Sequence, residues 1–161
     1  MRVLPLLPDN DVFDDASVVV EKPMEYRDAL NTILMHGIGR NDVPLSEALH
    51  EHGFIGCLRP WSGLRDENYV DLMTAILSLR QSRSGRDTWP IELVAGIMGI
   101  TRMAHCWGVD DAGMLRRNRL ISDNDVARLR FWTHRIESVV EQLLKGNDPL
   151  ELYPDLLQDV G

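Results

Sequence analysis

SDNDVARLRFWTHRIESVVEQLLKG, residues 122–146, decides the fold class. Val126, Leu129, Trp132, Ile136, Val139, Val140, Leu143 and Leu144 recur at spacings of three and four, which places them on one side of an α-helix. Ser122 followed three residues later by Asp125 has the form of a capping box, and Gly146 supplies the stop. No other stretch of the chain is so plainly amphipathic.

Working outward, the same period returns upstream. Tyr26, Leu30, Ile33 and Leu34 predict a helix that starts near Pro23 and stops before Gly37. A short helix is expected from Pro44 to about His50. Asp66 reads as the cap of another, with Tyr69, Met73, Ile76 and Leu77 as its stripe and the polar residues from Gln81 to Arg86 as its end. A further helix is expected to start at Asp87 or Thr88, with Pro90 in its first turn. From Ile91 to Ile100 it is apolar almost all round except Glu92, which predicts a place at the centre of the bundle. Gly96 and Gly99 each cost about 1 kcal/mol relative to alanine in an exposed helix, a cost offset where a neighbouring helix needs close approach. Gly108 to Ile121 reads as an arginine-rich connection, and Pro149 to Val160 as a terminal helix docked by Leu152, Tyr153, Leu156 and Leu157.

Residues 1–22 are different. Two prolines break the apolar start, Asp9, Asp11, Asp14 and Asp15 follow, and Ser17–Val20 offers a strand with nothing to pair with. The expected architecture is all-α: an extended acidic N-terminal arm over 1–22, then one compact bundle of about five or six helices over 23–161. No internal repeat points to a solenoid.

Composition narrows the class. The 161 residues are 44% hydrophobic, enough to bury a core, and the net charge of −8 argues against a general binder of phosphate backbones. That acidity is unevenly placed: residues 1–28 carry −4 and residues 137–161 carry −5, while the body between carries +1. Anionic partners, nucleic acid included, are therefore disfavoured by charge without being ruled out. Fifteen of the 17 basic residues are arginine, a usage read first as that of a GC-rich, bacterial genome. The N-terminus lacks the pattern of a signal peptide, and the longest apolar stretch, Ile91–Met103, is too short to cross a bilayer. The chain reads as cytoplasmic.

The candidate site is the loop GFIGCLRPWSGLR, residues 53–65, which follows neither period. It holds five large apolar residues, and Arg59, Trp61 and Arg65 have the composition enriched in protein interfaces. The competing reading is an Ω-like loop whose apolar residues plug one end of the bundle. Arg116-Arg117-Asn118-Arg119 is the densest basic run, able to hold an acidic partner bidentately or simply to face solvent.

Catalytic constellations are sparse. His50, His52 and Cys57, even with His105-Cys106, match no zinc spacing, and no metal or cofactor is expected. Pairing Cys57 or Cys106 with His36, His105 or His134 gives no convincing nucleophile, since His105 and its neighbour Cys106 point apart on a helix. Phosphate-binding glycine loops, a GxSxG elbow and an HExxH helix are all missing from the sequence. Arg128 and His134, with five residues between them, form a pair that resembles the Arg-(four to six residues)-His motif of the HEPN all-helical ribonucleases. The resemblance implies that these two residues would act on a scissile phosphate, although Leu129 stands where that family usually has a polar residue. The leading expectation is a small non-enzymatic interaction protein of adaptor, accessory or toxin-neutralising type, binding another protein through Arg59, Trp61 and Arg65. A homodimer is the other partner weighed, and the helical ribonuclease is the alternative.

Overall fold

The computed structural model describes residues 24–37, 51–80 and 89–156. They form an all-α bundle, with no strand among the described residues. The arm expected at 1–22, the helix expected at 44–50, the polar stretch 81–88 and the last five residues lie outside them.

Helix α1, Tyr26–His36, buries Ala29, Ile33 and Leu34 against α2, Asp66–Ser78, and α3, Ile91–Ala104. The buried stripe of α2 is wide, from Tyr69 through Leu72, Met73, Ala75, Ile76 and Leu77, because α1 and the long helix both cover it. Asp66 is not the cap. Arg65 holds that position without a side-chain hydrogen bond, and Asp66 opens the helix, where its carboxylate favours the dipole and pairs with Arg128.

After α3 the chain passes through a π-turn, His105–Val109, closed by the Asp110 N–H on the His105 carbonyl at 2.9 Å. The stretch expected to be a plain connection therefore carries local structure, including the short helix α4, Met114–Arg117. Two glycines make this fold-back possible. A Cβ on Gly113 would sit 2.7 Å from the carbonyl oxygens of Cys106 and Trp107, and one on Gly108 would strike Leu129 at 2.5 Å.

The long helix α5, Asp123–Lys145, matches its expected bounds. Ser122 Oγ accepts from the Asp125 N–H at 3.1 Å and donates to the Asp125 carboxylate at 2.8 Å. Gly146 adopts φ 85°, the left-handed conformation that lets the Asn147 N–H reach the Gln142 carbonyl. Its buried stripe runs Val126, Leu129, Trp132, Ile136, Val139, Leu143; Val140 is half-buried and Leu144 is exposed. The terminal helix α6, Pro149–Leu152, is one turn long. Asp148 caps it through the Leu150 N–H at 3.0 Å and meets Arg80 at 2.9 Å. Of the residues expected to dock it, Leu156 is buried and Tyr153 packs half-buried on the core, Leu152 is exposed instead, and Leu157 lies outside the described residues.

The expectation for α3 needs correction. Leu93, Ile97, Ile100 and Ala104 face the core, but Ile91 and Met98 are 79% and 65% exposed. Among the described residues the helix is packed by α1, α5 and the π-turn and leaves Ile91 and Met98 uncovered, so it is apolar all round without being buried all round. No helix among the described residues is long and apolar enough to cross a membrane.

Candidate functional site

The 53–65 loop is anchored by one buried histidine. His36 Nδ1 accepts the Phe54 N–H at 3.1 Å, its carbonyl accepts the Ile55 N–H at 3.1 Å, and Nε2 meets Asp71 Oδ2 at 2.9 Å. Since Nδ1 accepts, the proton sits on Nε2 and is donated to Asp71. A 3₁₀ turn, Gly56–Leu58, comes next, with the Cys57 thiol donating to the His52 carbonyl at 3.1 Å.

With this frame the apolar half of the loop turns inward. Phe54, Ile55 and Leu58 are buried, Trp61 and Leu64 pack half-buried against the core, and the Phe54 ring lies 6.0 Å from that of Trp132. The plug reading accounts for all five apolar residues. What the loop leaves in solvent is polar: Arg59, Ser62 and Arg65, with Pro60 and one side of Trp61.

Arg59 is not free-floating. Its guanidinium lies over the Trp107 ring, 5.7 Å from the centroid, and Trp107 is carried by the π-turn. Insertion of one residue into a helical turn rotates the residues after it, and here Gly108 and Val109 go inward while Trp107 stays half-exposed. The same turn packs on α4. Arg116 is tied down there, to Asp111 at 2.6 Å and the Val109 carbonyl at 3.3 Å, whereas Arg117, Arg119 and Leu120 are exposed. Arg119 holds φ 56°, left-handed for a residue with a Cβ, because the Leu120 N–H turns back to the Leu115 carbonyl at 2.8 Å. The result is an arginine–tryptophan corner, drawn from the loop and the π-turn, on a rigid base.

Trp107 had no place in the sequence-derived site. Its available signal was an indole next to a glycine at the end of an apolar helix. His36 was equally silent, since nothing in sequence links it to Phe54 or Asp71.

Arg128 and His134 lie on different sides of α5, six residues along and about 120° apart around the helix. Arg128 pairs with Asp66 and with Asp125, the latter at 3.3 Å, and lies over Trp132 at 5.0 Å. His134 instead lines an open cleft of about 490 Å³ with His105, Arg130, Phe131 and Glu137. Cys57 is buried, and Cys106 is exposed beside a second groove. Among the described residues no three His, Cys, Asp or Glu side chains come together to hold a metal ion. Compared with protein-family models, with curated proteins and with solved structures, the chain matches none.

Proposed function

We propose that this chain is a non-enzymatic interaction protein of adaptor or accessory type, which recognises an acidic partner protein through Arg59, Trp61, Arg65 and Trp107. The observation that carries the reading is the Arg59 guanidinium stacked on Trp107 while the loop beneath it is buried. An arginine held on an indole is already oriented, so less side-chain entropy is lost when a carboxylate binds it. Arg117, Arg119 and Leu120, exposed on and after the short helix that packs on the same π-turn, add two guanidiniums and one apolar side chain to the surface. This composition suits an acidic partner better than a basic nuclease, and so favours the adaptor form over the toxin-neutralising one. The test is affinity capture with wild type and with the Arg59→Ala/Trp61→Ala double variant. A partner retained by wild type and lost by a variant that melts at the same temperature supports the reading. A variant that unfolds shows that the loop is structural only.

A second reading is RNA cleavage, in which the cleft joining His105 and His134 supplies an acid and a base and Arg130 contacts the phosphate. It departs from the sequence-based pair in replacing Arg128, which is engaged with Asp66. His134→Ala would abolish cleavage without changing the melting temperature, and a parent protein with no ribonuclease activity removes this reading.

A further inference from the structure

Helix α3 presents an apolar face that stays exposed among the described residues. Ile91, Ala95, Met98 and Arg102 are spaced at four, three and four residues, so they form one stripe along the open side of the helix, and all four are exposed. Beside the stripe, Ala95, Met98, Gly99 and Arg102 of α3 and Val140 and Leu144 of α5 line a groove of about 930 Å³. The two glycines of α3 behave differently. A Cβ on Gly96 would meet Leu34 of α1 at 3.1 Å, so that glycine serves packing within the chain; a Cβ on Gly99 would meet nothing within 4 Å. Among the described residues nothing takes up the close approach that Gly99 permits, which leaves room there for an occupant.

The order of residues along the stripe says what that is. Glu92 lies in the first turn and Arg102 in the last, and the apolar residues between them are arranged about a midpoint near residue 97. Turning the helix end for end about that midpoint sets Arg102 opposite Ile91 and Glu92, and Ala95 opposite Met98 and Gly99. With Glu92 flanking it, about 100° around from Ile91, the stripe is complementary to itself in charge and in size: acid beside base at both ends, large against small in the middle. Antiparallel alignment also brings the positive end of each helix dipole to the negative end of the other. Neither Glu92 nor Arg102 takes part in an ion pair among the described residues, although Arg102 shares the groove with Glu137 and Glu141.

We infer that the exposed face of α3 seats the same helix of a second copy of this chain, antiparallel across a two-fold axis near residue 97. The contact is isologous, so each residue of the stripe acts twice. It does not depend on the arginine–tryptophan corner or on its partner.

The test is charge reversal followed by its own rescue, read on the full chain by sedimentation equilibrium. Wild type is expected to double its mass as concentration rises. Glu92→Arg or Arg102→Glu alone turns two attractions into two repulsions and weakens the dimer about tenfold or more, whereas the Glu92→Arg/Arg102→Glu double variant restores it. Each reversal also opposes the α3 dipole, and Arg102→Glu sets a carboxylate beside Glu137 and Glu141, so a small loss of monomer stability is expected and the dimer is read at a temperature where all three variants are folded. A chain that is monomeric throughout overturns the inference, as does a dimer indifferent to the single reversals or not rescued by the double. Alkylation of Met98→Cys, in a Cys106→Ser background, identifies the alternative. Shielding that appears only in the dimer supports the inference, and shielding in a monomer assigns the face to another part of the same chain.

Discussion

Arg128 lies over the indole of Trp132 and reaches across to Asp66, so that one guanidinium joins α5 to the first turn of α2. Trp132 in turn stacks on Tyr69 of α2, with centroids 5.0 Å apart and rings within 8° of parallel. A residue that sequence spacing offers as catalytic is thus held by two carboxylates and a ring. Arg128→Ala is expected to lower stability by about 1 kcal/mol, from the cation–π contact and a solvent-screened ion pair. Denaturant unfolding checks this. A variant as stable as wild type would show that the guanidinium contributes nothing to the α2–α5 contact.

Replacing His36 should cost more. The His36→Ala change leaves the Phe54 N–H, a buried donor, without its acceptor, and opens a cavity at a fully buried site. A loss of about 2–4 kcal/mol is expected, from the unsatisfied amide together with the void. Hydrogen exchange at Phe54 and Ile55 distinguishes local from general effects: these amides should lose protection before those of α5.

The glycines give a prediction of opposite signs. Gly99→Ala adds a Cβ into open space within a helix and should stabilise the monomer by about 0.5–1 kcal/mol. Gly113→Ala drives a Cβ against backbone oxygens of the π-turn, which cannot move aside as a side chain can, and should destabilise by about 1–3 kcal/mol. Thermal melts of the two variants should therefore shift in opposite directions.

Asp148 supplies a pH dependence. Burial acts to raise its carboxyl, but the Leu150 N–H and the Arg80 guanidinium outweigh that and hold it below the usual value of 3.8. Its folded state thus favours the charged form, so its contribution is present above the usual carboxylate range and is lost as pH falls below about 4. Because both partners are partly exposed, the effect should not exceed about 1 kcal/mol. Asp148→Asn should remove that part of the acid destabilisation, and Arg80→Gln should remove most of the same part; identical acid profiles for wild type and Asp148→Asn would contradict it.

The fold was legible where one face of a helix meets the core. The helix at 123–145 was readable to its ends because its stripe, its serine cap and its glycine stop all agree. Helix α3 misled because composition counts apolar residues without saying which of them meet a neighbour; Ile91 and Met98 look as core-like as Ile97 and Ile100. Residues 105–117 failed differently. The π-turn depends on Gly113, which lets the chain fold back on the carbonyls of Cys106, Trp107 and Asp110, and on Gly108, whose contact with Leu129 of α5 no local pattern records.

The candidate site divides along the same line. The 53–65 loop was recognisable as structured and rich in interface residues, but its division into buried plug and exposed arginine is set by His36 and the core behind it. Trp107 joins Arg59 only through the fold, from 48 positions further along the chain.

Calorimetric titration of the captured partner into wild type and into Arg59→Glu shows whether the arginine–tryptophan corner is the binding surface. Arg59 is exposed and the buried loop does not rest on it, so the variant should lose no more than the exposed contact with Trp107, about 1 kcal/mol or less, and stay folded. Recognition of an acidic partner at the arginine–tryptophan corner predicts an affinity lower by about tenfold or more in Arg59→Glu. Equal affinities would contradict it, and would place the binding surface elsewhere on the bundle.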